Sequence, residues 1–258
     1  MKKKKLKRWV IKAGSNMVCS GGPLLLRSWM RQVAFLRRQQ SIEVIWVTSG
    51  AIASAVDRTN FKKSDRLLSE KQALSAIGQP IIMDLYNLAL QASGILGAQI
   101  LLTYDDLANK DRRANFRNTV EKLLEWDVTP VLNENDAIST EEIKFGDNDS
   151  LSAKVAIVTG AERLLILTDV EGLYDRDPKR DTSARLIQRL DQVTPSLLKQ
   201  TETRPSSRGT GGMFSKLKAA REASTHGIET WLVRGDIPSV LMRVARNERV
   251  GTWVGARA

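Results

Sequence analysis

The sequence predicts an α/β protein, a three-layer αβα sandwich around a central, mainly parallel sheet. Apolar runs of strand length alternate with amphipathic helical patterns along the 258-residue chain. Polar and glycine-containing stations fall just after the apolar runs, where parallel sheets bind ligands. Apolar residues make up 42% of the chain, enough for a sizeable core and too many for global disorder.

The elements follow in order. Trp9-Val10-Ile11 reads as a first strand. Leu26, Trp29, Val33 and Leu36 step by three and four and mark one face of a helix. Val44–Val47 is a second buried strand that ends at Thr48-Ser49-Gly50, followed by a small-residue helix. A longer helical region covers about Ser64 to Gln91, interrupted near Gly78 and Pro80. Further strands are expected over Gln99–Thr103, Thr129–Leu132, Leu164–Thr168 and Glu229–Val233. Helices are expected over Asn115–Glu125, Asp149–Val158 and Ser215–Thr225. Thr201–Gly212 reads as a mobile loop. A division into two lobes falls at about residue 150, with no composition break to mark it.

Composition narrows the function classes. Cys19 is the single cysteine, so no intramolecular disulfide and no Cys/His metal spacing exists, and a reducing, cytoplasmic setting is expected. It reads as a loop or core residue. No apolar run reaches the ~18 residues of a membrane span, and no apolar stretch of a secretory signal follows the basic N-terminus. The formal charge is +11, but Lys2, Lys3, Lys4, Lys5, Lys7 and Arg8 concentrate much of it in a tail over residues 1–8. Basic residues interleaved with aromatics are missing, so a nucleic-acid partner is not expected. The tail reads as a solvated terminus, with contact to an acidic partner as the other reading. The one histidine, His226, reads as a helix C-terminal residue favoured by the helix dipole. No Ser–His–Asp or Cys–His mechanism is favoured.

Two glycine-flanked lysines stand near opposite ends of the chain. One is in Lys12-Ala13-Gly14-Ser15, and the other closes Gly209-Thr210-Gly211-Gly212-Met213-Phe214-Ser215-Lys216. Glycine lets backbone N–H groups approach a phosphate, and lysine adds a compact charge. The spacing is not that of a Walker A loop. Each station has a plain alternative: Lys12 as a solvated strand end, residues 209–216 as a surface loop, Ser49 as an N-cap. Asn133-Glu134-Asn135-Asp136 reads equally as a turn or as groups that receive an ammonium and donate to a carboxylate, and Gly146-Asp147-Asn148-Asp149 reads equally as a turn and helix cap or as part of a functional site. Asp169 after Thr168 reads as a loop cap or as a contact to ribose or adenine. A carboxylate nucleophile suits this inventory, because it is ionised near neutral pH and needs no general base. Its barrier is the meeting of two anions, which lysines, N–H donors and a divalent cation screen.

Together these stations resemble the amino acid kinase family, with its carbamate kinase-like fold, and within it the branch that phosphorylates glutamate. The resemblance runs from about Trp9 to Gly251-Thr252 and includes Val47–Ala53 and Leu167–Asp169 with Gly172-Leu173-Tyr174. It implies ATP-dependent phosphorylation of the L-glutamate side-chain carboxylate to L-glutamyl 5-phosphate, the first step of proline biosynthesis. By the same resemblance, Lys12 and Lys216 neutralise the moving phosphoryl group and Asp149 positions them. Ser49, Gly50, Asp136 and Asn148 match glutamate contacts. Lys12, Gly14, Ser15, Thr168, Asp169, Thr210, Gly211, Gly212, Met213, Phe214, Ser215 and Lys216 match nucleotide contacts. Mg²⁺ rides on the ATP phosphates, with no protein metal ligands. Residues 9–150 form the glutamate lobe and 151–258 the ATP lobe. Proline feedback inhibition, a homo-oligomer and coupling to glutamate-5-semialdehyde dehydrogenase are further implications. Many members carry a C-terminal PUA domain, which this chain is expected to lack. Ala13, Asn16 and Ser215 depart from the usual pattern. The rival readings are a sibling kinase for aspartate, acetylglutamate, carbamate or UMP, and a non-catalytic sensor on the same fold.

Overall fold

The computed structural model describes residues 7–59, 61–63, 65–139, 148–178, 180–202 and 212–256. Among these described residues, eight strands form one sheet. They are β1 (Lys7–Ala13), β2 (Ile42–Val47), β3 (Leu96–Leu102), β4 (Val128–Glu134), β5 (Arg163–Thr168), β6 (Arg189–Leu190), β7 (Glu229–Arg234) and β8 (Thr252–Val254). Their order across the sheet is β3-β4-β2-β1-β5-β7-β8-β6. The first six in that order are parallel neighbours, whereas β8 runs antiparallel to β7.

The helices are α1 (Ser15–Gln40), α2 (Ala51–Thr59), α3 (Leu68–Ala92), α4 (Tyr104–Ala108), α5 (Lys110–Glu125), α6 (Asn148–Thr159), α7 (Pro195–Glu202), α8 (Met213–Ser224) and α9 (Val240–Ala245). Strand alternation sorts β1 between two cores. Trp9, Ile11 and Ala13 pack with α1, α3 and α9. Val10 points to the opposite face, among residues of α5, α6 and α8. Lys12 shares the parity of Val10 and so faces the α6 layer. On the other side, Trp29, Trp46 and Tyr86 form a buried ring stack, with centroids 5.6 and 6.1 Å apart. Trp46 Nε1 donates to Tyr86 Oη at 2.9 Å and Trp29 Nε1 to Gly235 O at 2.8 Å, so the polar edges of these rings are satisfied. Burial pushes the Tyr86 phenol well above its usual range.

Several expectations are corrected. Lys7 and Arg8 lie in β1 rather than in a tail. Arg8 is held by Glu43 at 2.7 Å and by Glu121 at 2.6 Å, so this end of the basic run is structural. Residues 1–6 lie outside the described residues. Thr201 and Glu202 end α7 instead of opening a loop, and Thr201 is buried with its hydroxyl 2.9 Å from Leu198 O. Residues 203–211 lie outside the described residues. Cys19 is neither loop nor core but an exposed residue of α1. Thr103 leaves the strand to cap α4, where its Oγ1 accepts from Asp106 N.

The helix expected to break near Gly78 and Pro80 runs through both within α3. Pro80 forfeits one backbone bond, but Ile82, Met83, Tyr86, Ala89 and Leu90 bury a continuous face that outweighs it. Gly78 serves a close approach. A Cβ there would sit 1.8 Å from Ala51 O, the first residue of α2.

Gly78→Ala therefore tests the packing by its sign. In an unobstructed helix the change stabilises by about 1 kcal/mol. Here overpacking is expected to cost about 3 kcal/mol and to lower Tm by roughly 6–12 °C in thermal denaturation. An unchanged or raised Tm would contradict the contact.

Candidate active site

The site forms at the C-terminal edge of the parallel strands, where β1, β2, β4 and β5 end side by side. The chain turns from β1 toward β2 on one side and later returns to place β5 on the other, which makes β1/β5 a topological switch point. Gly14 sits at that point. Its N–H donates to Leu167 O at 3.3 Å, and α1 begins at the next residue. The first turns of α1, α2, α6 and α8 all follow this edge or pack on it, so the positive ends of several helix dipoles gather there.

The two lysines from distant stretches converge on one carboxylate. Lys12 Nζ lies 2.5 Å from Asp149 Oδ1 and Lys216 Nζ lies 3.1 Å from Asp149 Oδ2. Asp149 is 0% exposed, and the lysines are 3% and 8% exposed. Ser215 Oγ is 3.0 Å from the same Oδ2 and 2.9 Å from Gly212 O, so its single proton serves one of them. Asp149 occupies the first turn of α6, where the helix dipole favours a carboxylate. In their ordinary ionised forms the three groups sum to one positive charge. Buried charge of that sign, at an edge lined by helix N-termini, is suited to an anion.

Asn148, the neighbour of Asp149, serves the other half of the site. Its Nδ2 donates to Thr48 O at 2.6 Å and to Asn133 Oδ1 at 2.7 Å. Both N–H bonds are thereby spent, so what Asn148 can offer a ligand is its acceptor oxygen, suited to an ammonium group. Asp136 follows β4, and its Oδ2 accepts from Ser75 Oγ at 3.0 Å. Ser49 and Gly50 are partly buried at the entrance to α2. Gly50 adopts φ 100°, a conformation that favours glycine, and its carbonyl accepts the first α2 bond from Ser54 N at 2.9 Å.

At the end of β5, Thr168 has its Oγ1 3.2 Å from Asp169 Oδ1. Asn16 Nδ2 donates to Asp169 Oδ2 at 3.2 Å, tying the start of α1 to the end of β5. Gly212 is the N-cap of α8, and Met213, Phe214, Ser215 and Lys216 form its first turn. Lys216 and Ser215 thus reach Asp149, while Thr168 and Asp169 stand beside Asn16. Gly146, Asp147, Thr210 and Gly211 lie outside the described residues. His226 stands at the far end of α8, ten residues or about 15 Å along the helix from Lys216.

Ser75 and Gln79 were not singled out in the sequence, yet both are buried against this site. Their signal is two polar residues one helical turn apart on a face otherwise read as apolar. Among the described residues, no group of three or more His, Cys, Asp or Glu gathers to hold a metal. No helix among them is long and apolar enough to cross a membrane.

Comparison with known proteins gives the family. A model of the amino acid kinase family matches residues 7–234. The chain is 42% identical over 252 residues to a protein named glutamate 5-kinase from Thioalkalivibrio sulfidiphilus (strain HL-EbGR7), covering 96% of this chain and 67% of that one. It is 37% identical over 249 residues to the glutamate 5-kinase of Thermoanaerobacter sp. (strain X514), covering 95% and 67%. The solved structure of UMP kinase from Bacillus anthracis superposes with a TM-score of 0.65 over 99% of this chain and 98% of that one. At 16% identity that likeness concerns the fold alone. By the span of the family model, the relatives and the shared architecture, the chain belongs to the amino acid kinase family.

Proposed function

We propose that this chain transfers the terminal phosphoryl group of ATP to the side-chain carboxylate of L-glutamate, giving L-glutamyl 5-phosphate and ADP, the first step of proline biosynthesis. The observation that carries the reading is the buried Lys12–Asp149–Lys216 cluster next to the amide of Asn148. Relatives named glutamate 5-kinase, at 37–42% identity over most of the chain, support glutamate over aspartate, acetylglutamate, carbamate or UMP.

The chemistry follows from charge. A glutamate carboxylate oxygen attacks the γ-phosphorus, the bond from that phosphorus to the β–γ bridging oxygen breaks, and ADP leaves with the electron pair. The nucleophile carries no proton to remove, so the chain needs no general base. What it must supply is attraction for two anions brought into contact. Lys12 and Lys216 supply it, and Asp149 holds both ammonium groups in place before substrate arrives. Asn148 Oδ1 and Asp136 receive the α-ammonium of glutamate, while Ser49 and Gly50 border its acid groups at the start of α2. Gly14, Ser15 and the first turn of α8 from Gly212 present N–H groups to the phosphates, and Thr168 and Asp169 border the nucleoside. Thr210 and Gly211 belong to the same nucleotide loop by sequence.

The donor set also bears on the cation. Asp149 is already bracketed by two ammonium groups, so it suits holding the lysines that neutralise phosphate rather than ligating a metal. Mg²⁺ would be carried by the ATP phosphates and would screen their charge, consistent with its reluctance to shed water. Residues up to about 150 form the glutamate lobe and the remainder the ATP lobe. Proline as feedback inhibitor, a homo-oligomer, hand-off of the acyl phosphate to glutamate-5-semialdehyde dehydrogenase and a cytoplasmic location complete this reading.

Purified protein with ATP, Mg²⁺ and L-glutamate is expected to release ADP and, with hydroxylamine present, to accumulate glutamyl hydroxamate. Turnover with aspartate or UMP and none with glutamate would reject the acceptor, and ADP release that no added acid stimulates would reject a kinase for small carboxylates. Lys216→Ala is expected to lower kcat by at least ~10²-fold, the scale for losing one transition-state donor. A folded variant with wild-type kcat would remove Lys216 from the mechanism.

A further inference from the structure

One turn of α3, from Ser75 to Gln79, reaches three parts of the acceptor half. Ser75 donates to Asp136 Oδ2, Gly78 packs on Ala51 at the head of α2, and Gln79 enters the network beneath Asn148. The last contact is the most tightly specified. Gln79 Nε2 donates to Glu134 O at 3.0 Å, and because a carbonyl only accepts, the amide orientation of Gln79 is fixed. Its Oε1 must then accept from Asn133 Nδ2, also at 3.0 Å. Asn133 Oδ1 in turn accepts from Glu134 N at 2.9 Å and from Asn148 Nδ2 at 2.7 Å. Thr48 O takes the second Asn148 proton. Backbone groups at each step thus dictate which way three consecutive carboxamides face. All three residues are buried, at 7%, 3% and 7% exposure.

We propose that Gln79 and Ser75 are positioning residues for the acceptor amino acid: Gln79 acts through Asn133 to hold the Asn148 oxygen toward the substrate ammonium, and Ser75 sets the rotamer of Asp136. The inference rests on the glutamate reading of the site, but its physics concerns any acceptor with an ammonium group. The lysine cluster is reached through Asp149, whose side chain points away from this network to Lys12 and Lys216. A fault in the relay therefore acts on the acceptor and spares the nucleotide. Gln79→Glu is the sharpest perturbation. It preserves shape but replaces the N–H that faces Glu134 O with an oxygen, which reverses the polarity at the root of the chain.

The test is steady-state kinetics on the full chain with glutamate and ATP varied independently, together with thermal denaturation. Gln79→Glu is expected to raise the glutamate KM by ~10-fold or more, the factor for one broken buried hydrogen bond, with the ATP KM within about twofold of wild type. Ser75→Ala, a milder deletion that keeps the helix, is expected to raise the glutamate KM by roughly 3–10-fold with the same selectivity and judges the Asp136 contact, while the near-isosteric, uncharged Gln79→Met judges the relay if Gln79→Glu does not fold. A glutamate KM unchanged in a folded variant, or both KM values moving together, would overturn the proposal. Were the wild-type protein instead to use another amino acid, the glutamate reading would fail, and the same split measured with that acid would still judge the relay.

Discussion

A carboxylate with no solvent exposure holds two ammonium groups that come from opposite ends of the chain, and the rest of the architecture can be read from that constraint. Removing such charges from water costs several kcal/mol per ion, and their attraction returns that cost only in part. A cluster of this kind is a weak device for stability. It becomes intelligible as a device that receives an anion, because it holds two ammonium groups close together at the sheet edge. Placing Lys12 required a strand end whose side-chain parity faces α6. Placing Lys216 required the first turn of α8 to meet the first turn of α6. Placing Asp149 required α6 to start at the sheet edge between them.

The boundary between Asn148 and Asp149 divides the labour of the site. One side chain turns to the carboxamide network under β2 and β4, the other to the lysines. In the proposed reading, acceptor and phosphate sites are set by adjacent residues of one rigid helical turn, which fixes their separation more strictly than two loops would. The same economy appears in α3, where successive buried positions touch different walls of the acceptor half. Gly78 belongs with them, since its missing side chain lets α2 begin where it does.

Much of the fold was legible because buried parallel strands and amphipathic helices leave strong periodic signals. The core strands from Trp9, Val44, Thr129, Leu164 and Glu229 all appear, each somewhat longer than its apolar run. Strands β6 and β8 span two and three residues, too short for any period to register. Gly78 and Pro80 misled, since local propensity argues for a break and only tertiary contact explains why α3 continues. Lys12, Asn148, Asp149 and Lys216 were visible as polar residues at element ends, but their convergence is a property of topology. Ser75 and Gln79 lay hidden because a polar residue on a helix is ordinarily solvated, and burial is known only once α3 is seated. Arg8 illustrates the reverse case: within a basic run it looks like tail, yet two glutamates from elsewhere hold it in the sheet.

The account makes Lys12 and Lys216 the shared receivers of a phosphoryl group in flight. Its most direct test is a crystal structure with a non-hydrolysable ATP analogue, Mg²⁺ and glutamate bound. Both Nζ atoms should lie within hydrogen-bond reach, about 3 Å, of oxygens on the terminal phosphate, with the glutamate side chain in line behind it. A terminal phosphate bound away from both amino groups, with Asp149 still bridging them, would contradict it.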